Sequence, residues 1–121
     1  GGKNIAKINK NLKLKNRKKL LLENAVKTTS TNVASAWSKL NTSRSFLNAI
    51  KSQVGASEIA NEGISAEYEV GSRTTLDVIQ SNTLLLNAKI SLADSERNYL
   101  LAQYNLLKSI GLLNSNYLKI Q

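Results

Sequence analysis

Tyr68, Arg73 and Asp77 place a phenol, a guanidinium and a carboxylate within ten residues of one another. An arginine fork bonds carboxylates and carbonyls together, and a carboxylate at a helix start is favoured by the helix dipole. The chain has no His and no Cys. It also lacks a glycine-rich phosphate loop and an acid pair in an evident pocket. Neither a nucleophile-base pair nor a usual metal cluster can be assembled from what remains. The expectation is no enzyme, no cofactor and no metal. Each of the three residues also has a plain reading: Arg73 as a solvated turn residue, Asp77 as a helix cap, and Tyr68 as a ring shielding the end of a hairpin.

The elements that must position these residues follow from punctuation and periodicity. Pro is absent, and between Lys3 and Glu69 the only weak breakers are Gly55 and Gly63. Val26, Val33, Leu40, Leu47 and Val54 recur every seven residues, which predicts one helical seam over about 3–69. Gly71 can take the left-handed conformation that ends this helix, and Thr74 with Asp77 can cap the next. The turn is therefore expected at 70–74, with a second helix over about 75–110. Gly111 reads as its C-cap and 111–121 as a tail. On the second helix Ile79, Leu86, Ala93, Leu100 and Leu107 form the series expected to pack on the first seam. A further series, Val78, Leu85, Leu92, Tyr99 and Leu106, lies roughly 100° round. A helix apolar over so wide an arc needs neighbours on two sides, as in a bundle or barrel wall, or else it has an ample core face in an ordinary bundle. Ala88, Ser95, Ala102 and Ser109 would permit close approach. The fold class expected is all-α, a long antiparallel helical hairpin of coiled-coil type.

Composition fits a thin fold better than a compact one, with 41% hydrophobic but only 5% aromatic residues in 121. The net charge of +9 is uneven. Nine Lys or Arg residues lie in 1–27 against the single acid Glu23, while eight oppose seven in the rest. A second helix ending near Ile110 would reach only about half of the first, so this basic half is expected to lack a partner within the chain. No run of roughly 18 to 20 apolar residues could span a bilayer, because Lys89, Asp94, Glu96 and Arg97 interrupt the most apolar half. The N-terminus, Gly-Gly-Lys-Asn, is not of signal-peptide type, so any export signal is expected outside this chain.

The stretch Tyr68-Glu69-Val70-Gly71-Ser72-Arg73-Thr74-Thr75-Leu76-Asp77-Val78-Ile79 resembles the Y-x-V-G-x-R-T-x-x-D-V-L signature of the TolC family of outer-membrane efflux proteins. The likeness continues through Asn87-Ala88-Lys89, Leu92-Ala93, Asn98-Tyr99-Leu100 and Leu107-Lys108-Ser109-Ile110-Gly111, and Gly1-Gly2 resembles the glycine pair after the family's last strand. The resemblance implies the helical part of the second of two repeats, without the family's β-strands, in a homotrimeric α-barrel of the periplasm beneath the outer membrane.

It further implies a channel-tunnel serving tripartite efflux or type I secretion, partnered by a periplasmic adaptor (membrane fusion protein) and an inner-membrane pump. By the same resemblance Tyr68 and Arg73 join the polar links that close the entrance, and Asp77 belongs to an acidic ring at the constriction. Gln80 stands where a second acid is usual, which would weaken that ring's charge. Val70, Gly71, Ser72, Arg73 and Thr74 form the tip that would meet the adaptor.

Other readings follow from the residues alone. Glu58, Glu62, Glu67 and Glu69 make a solvated acidic face. Thr28 to Thr31, Ser35, Ser38 and Asn41 to Ser43 give an uncharged polar surface that could line a water-filled conduit. The basic run could bind anionic lipid or, with less support from its apolar interleaving, nucleic acid, which is not expected as a partner. The rival reading of the whole is a free-standing basic coiled-coil interaction module that binds a partner helix or an anionic surface.

Overall fold

The computed structural model describes residues 2–120, so Gly1 of the glycine pair lies outside the described residues. Two helices account for the architecture, α1 over Gly2–Glu69 and α2 over Thr75–Ile120, and no strand occurs among the described residues. With no proline to remove a backbone donor, each helix runs without a break. The chain divides into two units, Lys39–Gln103 and a second formed by residues up to Ser38 together with those from Tyr104.

Within the unit Lys39–Gln103 the two helices pair antiparallel about the turn at 70–74. Leu40, Leu47 and Val54 are buried from α1, as the seven-residue series predicts. On α2 the buried residues are Ser81, Ala88, Ser95 and Ala102, with Val78, Leu85, Leu92 and Tyr99 half-buried between them. Spacings that alternate three and four keep both stripes facing across the pair. Small residues on α2 let the backbones approach, and Ser95 is 2% exposed.

This corrects the expectation for α2. The series Ile79, Leu86, Ala93, Leu100 and Leu107 does not face α1: Leu86 is 58% and Leu100 65% exposed, and the rest are exposed as well. The series one residue away takes the seam instead. Its alternation with Ala88, Ser95 and Ala102 offers large and small side chains in turn, and bulky residues on both helices at every level would hold the axes further apart.

Within the other unit, Leu22, Ala25, Val26, Thr29, Val33 and Ala36 of α1 are half-buried, and Leu106 is buried from α2. Asn116 Nδ2 donates to Thr29 Oγ1 at 3.4 Å, and the Thr29 hydroxyl turns back to the Ala25 carbonyl at 2.9 Å. Here too the expectation is corrected. Helix α2 does not stop at Ile110 but passes through Gly111 to Ile120. Leu113, Asn116 and Ile120 continue the inward three-four spacing. A glycine inside a helix costs only about 1 kcal/mol relative to Ala, and no proline follows to enforce a stop. The longer α2 pairs with more of the basic half than expected. Residues 2–21 of α1 nevertheless remain exposed throughout. No described helix is long and apolar enough to cross a membrane.

Candidate functional site

The turn joining α1 to α2 is built by two capping motifs placed back to back. Gly71 has φ of +83°, the left-handed region, and is the only described residue with positive φ. Its N–H donates to the Tyr68 carbonyl at 3.0 Å, and the Ser72 N–H donates to the Glu67 carbonyl at 2.8 Å. This nested pair is a Schellman motif, and it satisfies carbonyls that the end of α1 would leave open. Two residues later Thr74 starts the next helix. Its N–H donates to Asp77 Oδ2 at 3.1 Å and its hydroxyl accepts from the Asp77 N–H at 3.2 Å. The Val78 N–H reaches the Thr74 carbonyl at 3.3 Å.

The two caps fix where the polar side chains stand. Arg73 Nε donates to Glu67 Oε2 at 2.5 Å across the turn, and both side chains are nearly half exposed. The Glu67 carboxylate, through its hydrogen bond and then its charge, raises the Arg73 pKa above its ordinary value. Exposed ion pairs of this kind contribute little to stability, so the contact mainly orients the guanidinium. Asp77 titrates below its ordinary value, because the Thr74 backbone N–H first and the Thr74 side chain second stabilise its charged form. Arg73 adds a smaller Coulombic effect.

Arg73, Asp77 and Gln80 line one open groove of about 230 Å³, together with Ala60 and Ile64 of α1 and Leu84 of α2. Tyr68 does not line it. Its hydroxyl lies 3.5 Å from Thr75 Oγ1, bracing the last turn of α1 against the first of α2. Val70, Ser72 and Arg73 are exposed at the apex, Val70 by 78%. A guanidinium, a carboxylate and an amide open to one groove can exchange hydrogen bonds with a neighbouring helix or loop.

Two sets of residues at this end were not singled out from the sequence for the roles they take. Glu67, grouped with the acidic face, is the partner of Arg73. Its separation of six residues crosses a helix end, where helical spacing rules cease to apply. Asn61 was not singled out at all, yet its Nδ2 donates to Ser81 Oγ at 3.0 Å and Asn82 Oδ1 at 2.7 Å. The available signal was its place seven residues after Val54 in the buried series. Among the polar residues read as a conduit surface, Thr31 and Ser43 turn their hydroxyls to the Lys27 and Lys39 carbonyls of their own helix.

Comparison with known proteins places this geometry in context. The sequence profile of the outer membrane efflux protein family matches residues 1–112. Outer membrane protein TolC of Escherichia coli K12 is 38% identical over 93 residues, covering 77% of this chain and 19% of that protein. Outer membrane efflux protein BepC of Brucella suis is 34% identical over 89 residues, covering 74% of this chain and 20% of its own length. TolC of Salmonella enteritidis is 36% identical over 93 residues, again 77% and 19% of the two chains. The chain thus spans about one fifth of the length of these relatives. A profile match along nearly all of its residues, on a helical pair with a doubly capped turn, shows that this chain belongs to the outer membrane efflux protein family.

Proposed function

We propose that this chain is a segment of the periplasmic channel-tunnel of a TolC-like outer-membrane efflux protein. It would conduct solutes for a tripartite efflux or type I secretion system, without chemistry of its own. The observation that carries this reading is the exposed apolar face of α2. Leu76, Ile79, Leu86, Ile90 and Leu100 are all more than half exposed. Ile79, Leu86 and Leu100 precede the buried Ser81, Ala88 and Ala102 by two residues and Ile90 follows Ala88 by two, a rotation of about 200° and so nearly to the opposite side of the helix. A helix apolar on opposed sides is satisfied in a closed wall, where each helix has two neighbours. A homotrimer would supply them.

At the tip, Tyr68, Arg73 and Asp77 would link neighbouring coiled coils and hold the entrance closed, while Val70 to Thr74 would dock the periplasmic adaptor, which in turn engages an inner-membrane pump. The Arg73 fork is open to solvent beyond its bond to Glu67, which leaves donors for a second partner. Gln80 contributes an amide where a carboxylate would add charge, so the constriction would favour cations less strongly. Opening would be a shift between two packed arrangements of the pair. The free-standing module is not the favoured reading, since the family match runs from residue 1 to 112.

Single-channel conductance of the full-length protein tests the gating role. Replacing Tyr68 by Phe and Arg73 by Ser together should raise the conductance of the closed state several-fold. An unchanged closed-state conductance would sink it.

A further inference from the structure

In the buried series of α1, Leu40, Leu47 and Val54 are followed seven residues later by Asn61. The facing series of α2 is Ser81, Ala88, Ser95 and Ala102, all buried. The bond from Asn61 to Ser81 sets these two residues level. In an antiparallel pair each step of seven back along α1 meets a step of seven forward along α2. Val54 therefore comes level with Ala88, Leu47 with Ser95 and Leu40 with Ala102, a larger residue facing a smaller one each time.

Such a seam nearly repeats itself. A slide of one heptad would set Val54 level with Ser95 and Leu47 with Ala102, again larger on smaller, so apolar packing distinguishes the two arrangements poorly. A slide in either direction would unwind about two turns of one helix beside the turn. Beyond the capped turn, the seam layer that distinguishes the two arrangements is that of Asn61. After the slide Asn61 would face Ala88, which offers no side-chain acceptor, and both of its bonds to α2 would be lost. A polar residue at one seam position of a coiled coil specifies register in this way.

We infer that Asn61 sets the register of α1 against α2, its bonds to Ser81 and Asn82 holding Val54 level with Ala88 against a one-heptad slide. The doubly capped turn fixes the same register locally, and the Asn61 layer carries it into the seam. This role does not depend on whether the tip gates a channel.

This chain has no cysteine, so once any cysteine elsewhere in the protein is replaced, introduced pairs report register directly. In the full-length protein, Val54→Cys with Ala88→Cys reads the register observed, and Val54→Cys with Ser95→Cys reads the slid one. With Asn61 present, oxidation should cross-link the first pair and leave the second at background. Asn61→Leu should raise the second yield several-fold at the expense of the first. Asn82→Ala, at an exposed position, removes one acceptor and should produce a smaller rise, which keeps the test decisive even if Asn61→Leu does not accumulate. Background cross-linking of the 54–95 pair in Asn82→Ala, and in any Asn61→Leu protein recovered, overturns the inference.

Discussion

Thr74 and Asp77 cap the start of α2 reciprocally, the Thr74 N–H donating to the Asp77 carboxylate at 3.1 Å and the Asp77 N–H donating to the Thr74 hydroxyl at 3.2 Å. Each residue satisfies a donor of the other that would otherwise be open at a helix end. The bond links helix geometry to protonation, because the carboxylate accepts well only when ionised.

The pH dependence has a definite sign. The folded pKa of Asp77 is lowered, chiefly by Thr74. Its contribution to stability is then fully present above the unfolded value and is lost as pH falls through the folded one. The protection factor of the Thr74 amide, whose N–H donates to the carboxylate, should hold at neutral pH and fall on acidification below the ordinary carboxylate range. A carboxyl-detected NMR titration should give a lowered midpoint, and Thr74→Ala, which removes the hydroxyl but keeps the backbone N–H, should return it part of the way towards the ordinary value. A midpoint that ignores Thr74→Ala would refute the share assigned to the hydroxyl.

Two glycines should respond to alanine with opposite signs. At Gly71 the φ of +83° is unfavourable for any Cβ, so Gly71→Ala should cost roughly 1–2 kcal/mol and speed exchange of the Ser72 amide. At Gly111 a Cβ would meet nothing within 4 Å and the backbone is helical. Gly111→Ala should therefore stabilise by about 0.5–1 kcal/mol in denaturant unfolding. Destabilisation at Gly111 would mean that α2 ends there after all.

The seam and the outer face of α2 separate pair stability from assembly. Leu47→Ala empties a seam position that is 7% exposed and should cost about 2–5 kcal/mol. Leu86→Lys alters a side chain that is 58% exposed in the pair and should change pair stability by less than about 0.5 kcal/mol. If α2 is shared between neighbours in a wall, the same substitution should abolish a stable trimer in native mass spectrometry. Trimers of unaltered strength would count against the wall.

Much of this end of the molecule is legible in short-range chemistry. Gly71, Thr74 and Asp77 encode a reversal through contacts among residues no more than a few positions apart, which is why the turn and the start of α2 can be read locally. The Glu67–Arg73 pair is not legible in the same way, since it depends on how the chain bends through Gly71. Nor is the end of α2, because a glycine near apolar residues stops a helix only when no partner surface rewards its continuation.

Periodicity determined that α1 is one long helix with a seam through Leu40, Leu47 and Val54, and local turn chemistry that a capped turn leads into a second helix, itself apolar on more than one side. Which of those sides meets α1 was decided only by tertiary structure. The series of Ile79 and that of Val78 are both heptad-spaced and both apolar, and they differ by a single residue, about 100° of rotation. Close packing chooses between them, because Ala88, Ser95 and Ala102 share a face with the second and admit Leu40, Leu47 and Val54 at short range.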